Sequence, residues 1–459
     1  MKARGGPAGR ETALSGNSRI VSPARSAAFE ILRRVEDDDA YASVLLAASD
    51  DDIRADDRAL CYELVMGVLR WQLWLDALID HYAERKAESL DKPIRRALRM
   101  GLYELRFLSR IPNSATVNET VNLAYVARMR SASGFVNAVL RRAIREKDYD
   151  PADQIADPVL RLSVATSHPA WLIERWVKAL GIQEAENFAR SNNEAPPVSF
   201  RVIGGHEEVQ AVFSTLREAG ALVSRSMIAR DGWRVDGAAA TVRMLATEGR
   251  IYLQDEASQL VSLVLEAEGC KSILDVCAAP GSKTTHIASL APESAFIIGG
   301  DLYEHRLRTV RETIIRVHAK RVSLLIHDAT VNLPFRDESF ERVLVDAPCS
   351  GTGTLRRNPE IRWRISAQDI FDMAERQGRI LANATRVLRP GGRLVYSTCS
   401  IEPEENEDVV SAFLQDHRDF RQVEVNVDAT LLRKDGSVRT WTHRDGTDGF
   451  FIAALERCG

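Results

Sequence analysis

From Gln254 onward the chain alternates short, almost wholly apolar runs with amphipathic helical stretches, and this alternation limits the fold more than any other feature. The runs cover 272–276, 295–299, 321–326, 342–345 and 393–397, and the helical stretches include 284–290, 304–318 and 367–388. A run this short and this apolar reads as a strand buried on both faces. Strands that alternate with helices pair in parallel, because a parallel crossover needs room for a helix. The expectation is a doubly wound, mainly parallel α/β sheet of Rossmann-like type. Ligands in such sheets bind at the carboxyl ends of the strands.

The chain has 459 residues, too many for one ordinary core. Residues 23–148 read as all-helical, with Pro93 where a first helical turn tolerates proline. Trp71 and Trp74 read as core. The acidic stretches 36–39 and 50–52 read as solvated loops or helix ends. Helical patterns continue from 167 to 193 and stop at Pro196-Pro197. Strand-like runs at 198–202 and 251–253 then flank a helical piece at 209–219, which describes a small α+β connector. The expected division is a disordered tail at 1–22, a helical domain at 23–150, the connector at 160–253 and the parallel sheet at 254–459.

The first twenty residues are rich in Gly, Ala, Ser and Arg and lack an apolar secretory segment, so a cytoplasmic location is expected. No apolar run approaches the ~20 residues of a membrane span. The six cysteines are then expected as thiols. No CxxC occurs, and no metal site is expected.

The net charge of -4 and the pI near 6.2 do not by themselves suggest nucleic acid. Local charge does. Between Lys92 and Lys147 there are twelve basic residues against three acidic ones, an imbalance that would attract phosphate.

Three motifs fall at strand ends. The first, from Leu274 through Cys277, Ala278, Ala279, Pro280, Gly281, Ser282 and Lys283 to Thr284, leaves a strand, turns through small residues and opens a helix. Asp301 ends the next strand, twenty residues after Gly281, where a carboxylate can accept from ribose hydroxyls. Asp328 ends the strand after that, placed for an adenine edge. The three together describe a nucleoside site. A P-loop would need glycines where Ser282 and Cys277 stand, and no G-x-G-x-x-G occurs.

The second motif runs from Val345 through Asp346, Pro348 and Cys349 to Gly353, and the third from Tyr396 through Cys399 to Asn406. A lone cysteine is usually a small buried hydrophobe, and that reading suits Cys61, Cys270, Cys277 and Cys458. Cys349 and Cys399 differ, because both follow strands that end beside the nucleoside site.

The strings DVCAAPGSKT, VDAPCSGTGT and VYSTCSIEPEEN resemble motifs I, IV and VI of the RNA 5-methylcytosine methyltransferases. Residues 116–124 and 133–141 resemble a NusB-type RNA-binding domain. The combination is similar to the RsmB (Sun, Fmu) family, and the resemblance covers nearly everything after residue 20. Ser282 stands where that family commonly has glycine, and a serine is small enough for the loop to keep its close approach.

The resemblance implies an all-α NusB-like domain followed by a class I methyltransferase that uses S-adenosylmethionine and acts on small-subunit ribosomal RNA before the ribosome is finished. A monomer without metal or membrane is expected. It further implies cofactor contacts from Cys277 to Lys283 and from Asp301, Arg306, Asp328 and Asp346. Cys399 would be the thiolate that attacks carbon 6 of a cytosine, Cys349 would assist release, Asp346 would grip the base and Lys283 would support the thiolate. DNA cytosine-5 enzymes place the nucleophile in the Pro-Cys motif, so the Thr-Cys motif points to RNA. Two other readings stay open: a non-catalytic NusB-like RNA-binding or antitermination protein, and a methyltransferase of this fold acting on protein or a small molecule.

Overall fold

The apolar spacing of the N-terminal third is used up in helix–helix packing. The computed structural model describes residues 21–48 and 54–459, so the expected tail, apart from Val21 and Ser22, and the acidic stretch 50–52 lie outside the described residues. The chain divides into two compact units, one reaching Gln154 and one starting at Ile155. In the first, helices Pro23–Asp37, Ala55–Arg70, Gln72–Ala83, Lys92–Phe107, Asn113–Val126 and Ser133–Arg145 bury Leu64, Leu75, Leu78, Leu98, Leu102 and Leu140 completely. Pro93 lies in the first turn of its helix. Trp74 is buried, and its indole N–H donates to Asp150 at 3.1 Å, as a core tryptophan requires.

The basic segment is less free than its sequence suggests. Arg95 and Arg96 pair with Glu36 at 2.8 and 2.5 Å, Arg99 with Asp76 at 2.6 Å, Lys92 with Asp37 at 2.8 Å and Arg142 with Glu84 at 2.8 Å. Every one of those carboxylates comes from outside the segment. Two expectations are therefore corrected. Much of the local positive charge is neutralised within the unit, and Glu36 and Asp37 are ion-pair partners at a helix end rather than merely solvated groups. Arg110, Arg128, Arg130 and Arg145 are exposed and have no acidic partner among the described residues, so a smaller basic surface remains.

The second unit opens with helices Pro158–Thr166, Ala170–Leu180 and Ile182–Ser191. Their apolar faces, with Leu172, Trp176 and Phe188, close on Leu355, Ile401 and Trp441, which lie in or near the loops beyond the two cysteine motifs. After Pro196-Pro197 comes an antiparallel sheet of β1 (Val198–Val202), β2 (Leu222–Arg225), β3 (Gly232–Asp236) and β4 (Ile251–Leu253), in the order β2-β3-β1-β4. Helices His206–Glu218 and Ala239–Thr247 cover it, burying Val212, Leu216 and Leu245 against Phe200 and Ile251.

The larger sheet holds β5 (Ser272–Asp275), β6 (Phe296–Asp301), β7 (Val322–Ile326), β8 (Phe340–Asp346), β9 (Leu388–Thr398), β10 (Phe420–Val423), β11 (Val438–Arg439) and β12 (Phe451–Arg457). Its order is β10-β12-β9-β8-β5-β6-β7, with β11 beside β12. The five strands expected from the apolar runs are all present and all parallel to one another. The sequence reading did not include β10 to β12, which run antiparallel and close the β9 side of the sheet. It also carried the helix starting at Ala367 too far. That helix ends at Thr385, and Leu388 already belongs to β9, because Pro390 holds the residue before it extended.

Candidate active site

Parallel pairing decides which motifs meet. β8 lies between β5 and β9, with Asp275 opposite Leu344 and Asp346 opposite Ser397. Cys349 follows Asp346 by three residues and Cys399 follows Ser397 by two, so both emerge from the same carboxyl edge. Their sulfurs are 3.1 Å apart, close enough to share a proton. The 277–283 loop leaves the neighbouring strand on the same edge.

The loop ties the nucleoside side to the cysteine side. Lys283, in the first turn of helix Ser282–Leu290, donates to Asp346 Oδ2 at 2.7 Å, and Ser397 Oγ donates to Asp346 Oδ1 at 2.8 Å. Burial disfavours the Lys283 ammonium, but Asp346 outweighs it, with help from Cys399 and Asp275, and holds its pKa above the ordinary lysine value. A buried cation therefore stands within electrostatic reach of Cys399, which the sequence could not establish. The hydrogen bond to Cys399, then burial, the Cys399 sulfur and the Glu405 carboxylate, push the Cys349 thiol well up. The two cysteines are thus in unequal surroundings.

Asp275 is buried, and burial pushes its carboxyl up to about 7. It accepts from Thr284 Oγ1 at 2.6 Å and from the Cys277 amide at 3.3 Å, clamping the loop to its helix. Gly281 has φ +100°, and a Cβ there would press on Val310 and Thr313 at 3.2–3.3 Å. The Ala278 amide donates to Gly300 O at 2.7 Å, so the loop lies along β6. Burial and the Asp275 carboxylate push the Cys277 thiol up as well, which suits a packing residue.

Asp301 is buried at the end of β6, with Arg306 3.5 Å from Oδ1, and the His327 amide donates to its carbonyl at 3.1 Å. Asp328, half-buried, accepts from the Thr330 hydroxyl and amide at 2.6 and 2.8 Å, which holds its carboxyl below the usual range. The small-residue loop, Asp301 and Asp328 therefore line the ends of three adjacent parallel strands. Ser282 is half-buried at the start of its helix, and Pro280 is exposed.

These residues fit a nucleoside-bearing cofactor on their own geometry. Carboxylates at two successive strand ends can accept from hydroxyl and amine groups, and Gly281 leaves no side chain over the tight turn. Cys458, expected to be buried, is instead exposed just beyond the end of β12. Among the described residues no cluster of three or more His, Cys, Asp or Glu is arranged to hold a metal, and no helix is long and apolar enough to cross a membrane.

Sequence reasoning missed Gly353. Its amide donates to Cys399 O at 2.9 Å, and its carbonyl accepts from Gly449 N at 2.8 Å. A Cβ at Gly353 would lie 2.0 Å from Gly449 O and 2.8 Å from Cys399 O. Replacing Gly353 by alanine should therefore displace the Cys399 loop, cost about 1–3 kcal/mol of stability and lower the thermal denaturation midpoint. A midpoint equal to that of the parent protein would show that the loops accommodate the methyl group. The signal was present in the small-residue run 351–353, but nothing local revealed which backbone it would touch.

Three family models match the chain: "16S rRNA methyltransferase RsmB/F" over residues 262–456, "NusB family" over 22–145 and "Methyltr_RsmF/B-like, ferredoxin-like domain" over 168–242. The ribosomal RNA small subunit methyltransferase B of Pseudomonas putida is 36% identical over 434 residues, 94% of this chain and 98% of that protein. The probable ribosomal RNA small subunit methyltransferase B of Bacillus subtilis is 32% identical over 449 residues, 95% and 99% of the two. The crystal structure of PH0851 is 29% identical, covers 95% of this chain and 100% of that one, and superposes with a TM-score of 0.79. S-adenosylmethionine is the cofactor of such enzymes, and the 277–283 loop with Asp301 and Asp328 suits its nucleoside half. The helical first unit, the ferredoxin-like connector and the parallel sheet with its strand-end loop therefore make one whole-chain match: this chain belongs to the RsmB/F family of 16S rRNA methyltransferases.

Proposed function

We propose that the chain methylates carbon 5 of a cytosine in small-subunit ribosomal RNA, with Cys399 as the attacking thiolate and Cys349 assisting release. The observation that carries this reading is the 3.1 Å pair of cysteine sulfurs on parallel strand ends, beside the Lys283–Asp346 ion pair. Carbon 5 of cytosine is a poor nucleophile. A thiolate added at carbon 6 makes carbon 5 carbanion-like and divides the hard step in two. S-adenosylmethionine supplies an electrophilic methyl group.

The buried Lys283 ammonium favours negative charge on Cys399. The Asp346 carboxylate, fixed by Lys283 and Ser397, is suited to accept from the exocyclic amine of the base. Once Cys399 is bonded to carbon 6 it carries no charge, and the largest influence that keeps Cys349 protonated is gone. Cys349 can then give its proton to solvent and take the proton from carbon 5. As carbon 5 loses that proton, the carbon 6–sulfur bond breaks and the Cys399 thiolate is restored.

The target base must be unpaired or leave its stack to reach the pair. Residues 23–150, with the exposed arginines Arg110, Arg128, Arg130 and Arg145, are read as the part that grips RNA, and 254–459 as the catalytic part. The protein acts in the cytoplasm on this reading, before the ribosome is complete. A non-catalytic RNA-binding role leaves the cysteine pair unexplained.

Bisulfite sequencing of ribosomal RNA from cells with and without the gene tests the reading. One small-subunit cytosine should resist conversion only when the protein is present. Identical conversion at every cytosine in the two strains overturns it.

A further inference from the structure

The two cysteine loops are joined by a third group. Glu405, in the short turn Pro403–Glu405 after β9, is completely buried. Its carboxylate accepts from the Ser350 amide at 2.8 Å, from Gln377 Nε2 at 2.9 Å and from the hydroxyls of Ser350 and Ser400. It has no ion-pair partner among the described residues. A carboxylate buried without a cation is costly, and four neutral donors offset that cost. Three of the four donors belong to the two residues that directly follow the cysteines, Ser350 after Cys349 and Ser400 after Cys399. Gln377 extends the clamp by also donating to Pro348 O at 2.9 Å, on the other side of Cys349.

We infer that Glu405 is a positioning residue, a hydrogen-bonded staple that holds the Cys349 and Cys399 loops at reacting distance. The inference rests on the reading of these cysteines as the reacting pair. Glutamate suits the task by reach and by acceptor count. One oxygen serves the two N–H donors, from Ser350 and Gln377, and the other serves the two hydroxyls. A glutamine can keep the same contacts, because its oxygen can face the N–H donors while both hydroxyls turn to accept from its amide. Alanine keeps none. The neutralised and the truncated variants therefore separate charge from hydrogen bonding. The same carboxylate also contributes to keeping Cys349 protonated.

The test reads cysteine spacing directly in the full chain. Diamide oxidises the pair to a disulfide, and peptide mapping gives the rate without RNA or methyl donor. Glu405→Ala should slow the cross-link tenfold or more and lower kcat for RNA methylation by at least tenfold, with KM for S-adenosylmethionine within about twofold. Glu405→Gln should restore the cross-linking rate to within about twofold of the parent. Cross-linking at the parent rate in Glu405→Ala overturns the staple, and so does equal loss in both variants, which would make the charge responsible.

Ser350→Ala covers the case in which Glu405→Ala does not fold. It removes one hydroxyl from a half-buried position and should slow the cross-link at least threefold, and an unchanged rate again overturns the staple. Because the cross-link needs no substrate, Glu405-dependent spacing in a protein that methylates no cytosine supports the staple and refutes only the proposed reaction.

Discussion

Replacing Cys399 by alanine should abolish methyl transfer, by about 10⁴-fold or more, since the residue that divides the chemical step is gone. No neighbour can take over. Cys349 is only 3.1 Å away, and removing Cys399 takes away the largest influence that raises its thiol, but its sulfur is held at the end of β8 and not at the β9 end from which Cys399 meets carbon 6. Cys277, on the nucleoside side, is held protonated by burial and Asp275. Affinity for S-adenosylmethionine should stay within a few-fold, because Cys399 lies at the end of β9, whereas the nucleoside side of the cleft is built on β5, β6 and β7. Single-turnover transfer of a labelled methyl group to unmodified ribosomal RNA, alongside a direct measurement of donor binding, checks both halves. Turnover within tenfold of the parent protein would remove Cys399 from the nucleophile role. If Cys349→Ala instead lost all adduct and all turnover, the two assignments would have to be exchanged.

The parts of the site that were legible in the sequence are those in which a strand end fixes the answer. Asp301, Asp328, Asp346, Cys349 and Cys399 each follow an apolar run by no more than four residues, and parallel pairing carries every such end to one edge. Knowing the strands is then almost enough to know the cluster. What stayed hidden depends on pairings without a local signal. Glu36 and Asp37 looked like a solvated helix end, because nothing near them in sequence shows that Arg95 and Arg96, some sixty residues away, fold back onto them. Gly353 and Glu405 sat in plain view inside the second and third motifs, yet their work is done across the gap between those motifs. β10 to β12 were missed because they are short or lie at the very end of the chain, outside the strand–helix alternation that gave the rest away.

The complementary substitution, Cys349→Ala, should leave attack intact and stop the reaction afterwards. In the parent protein the adduct is transient, since loss of the carbon 5 proton lets Cys399 leave. Without the Cys349 sulfur that proton has no positioned acceptor, because the nearest carboxylates are already engaged. Asp346 is held by Lys283 and Ser397, and Glu405 by four donors. A positioned acid–base group contributes typically about 10²–10⁴-fold, so turnover should fall at least about 100-fold while a protein–RNA species accumulates toward one per site. Denaturing gel electrophoresis should show that species as a shifted band, dependent on S-adenosylmethionine and absent from the Cys349→Ala, Cys399→Ala double variant. A partial fall in activity with no shifted band, short of the complete loss that would exchange the two roles, would mean that Cys349 serves a step other than release.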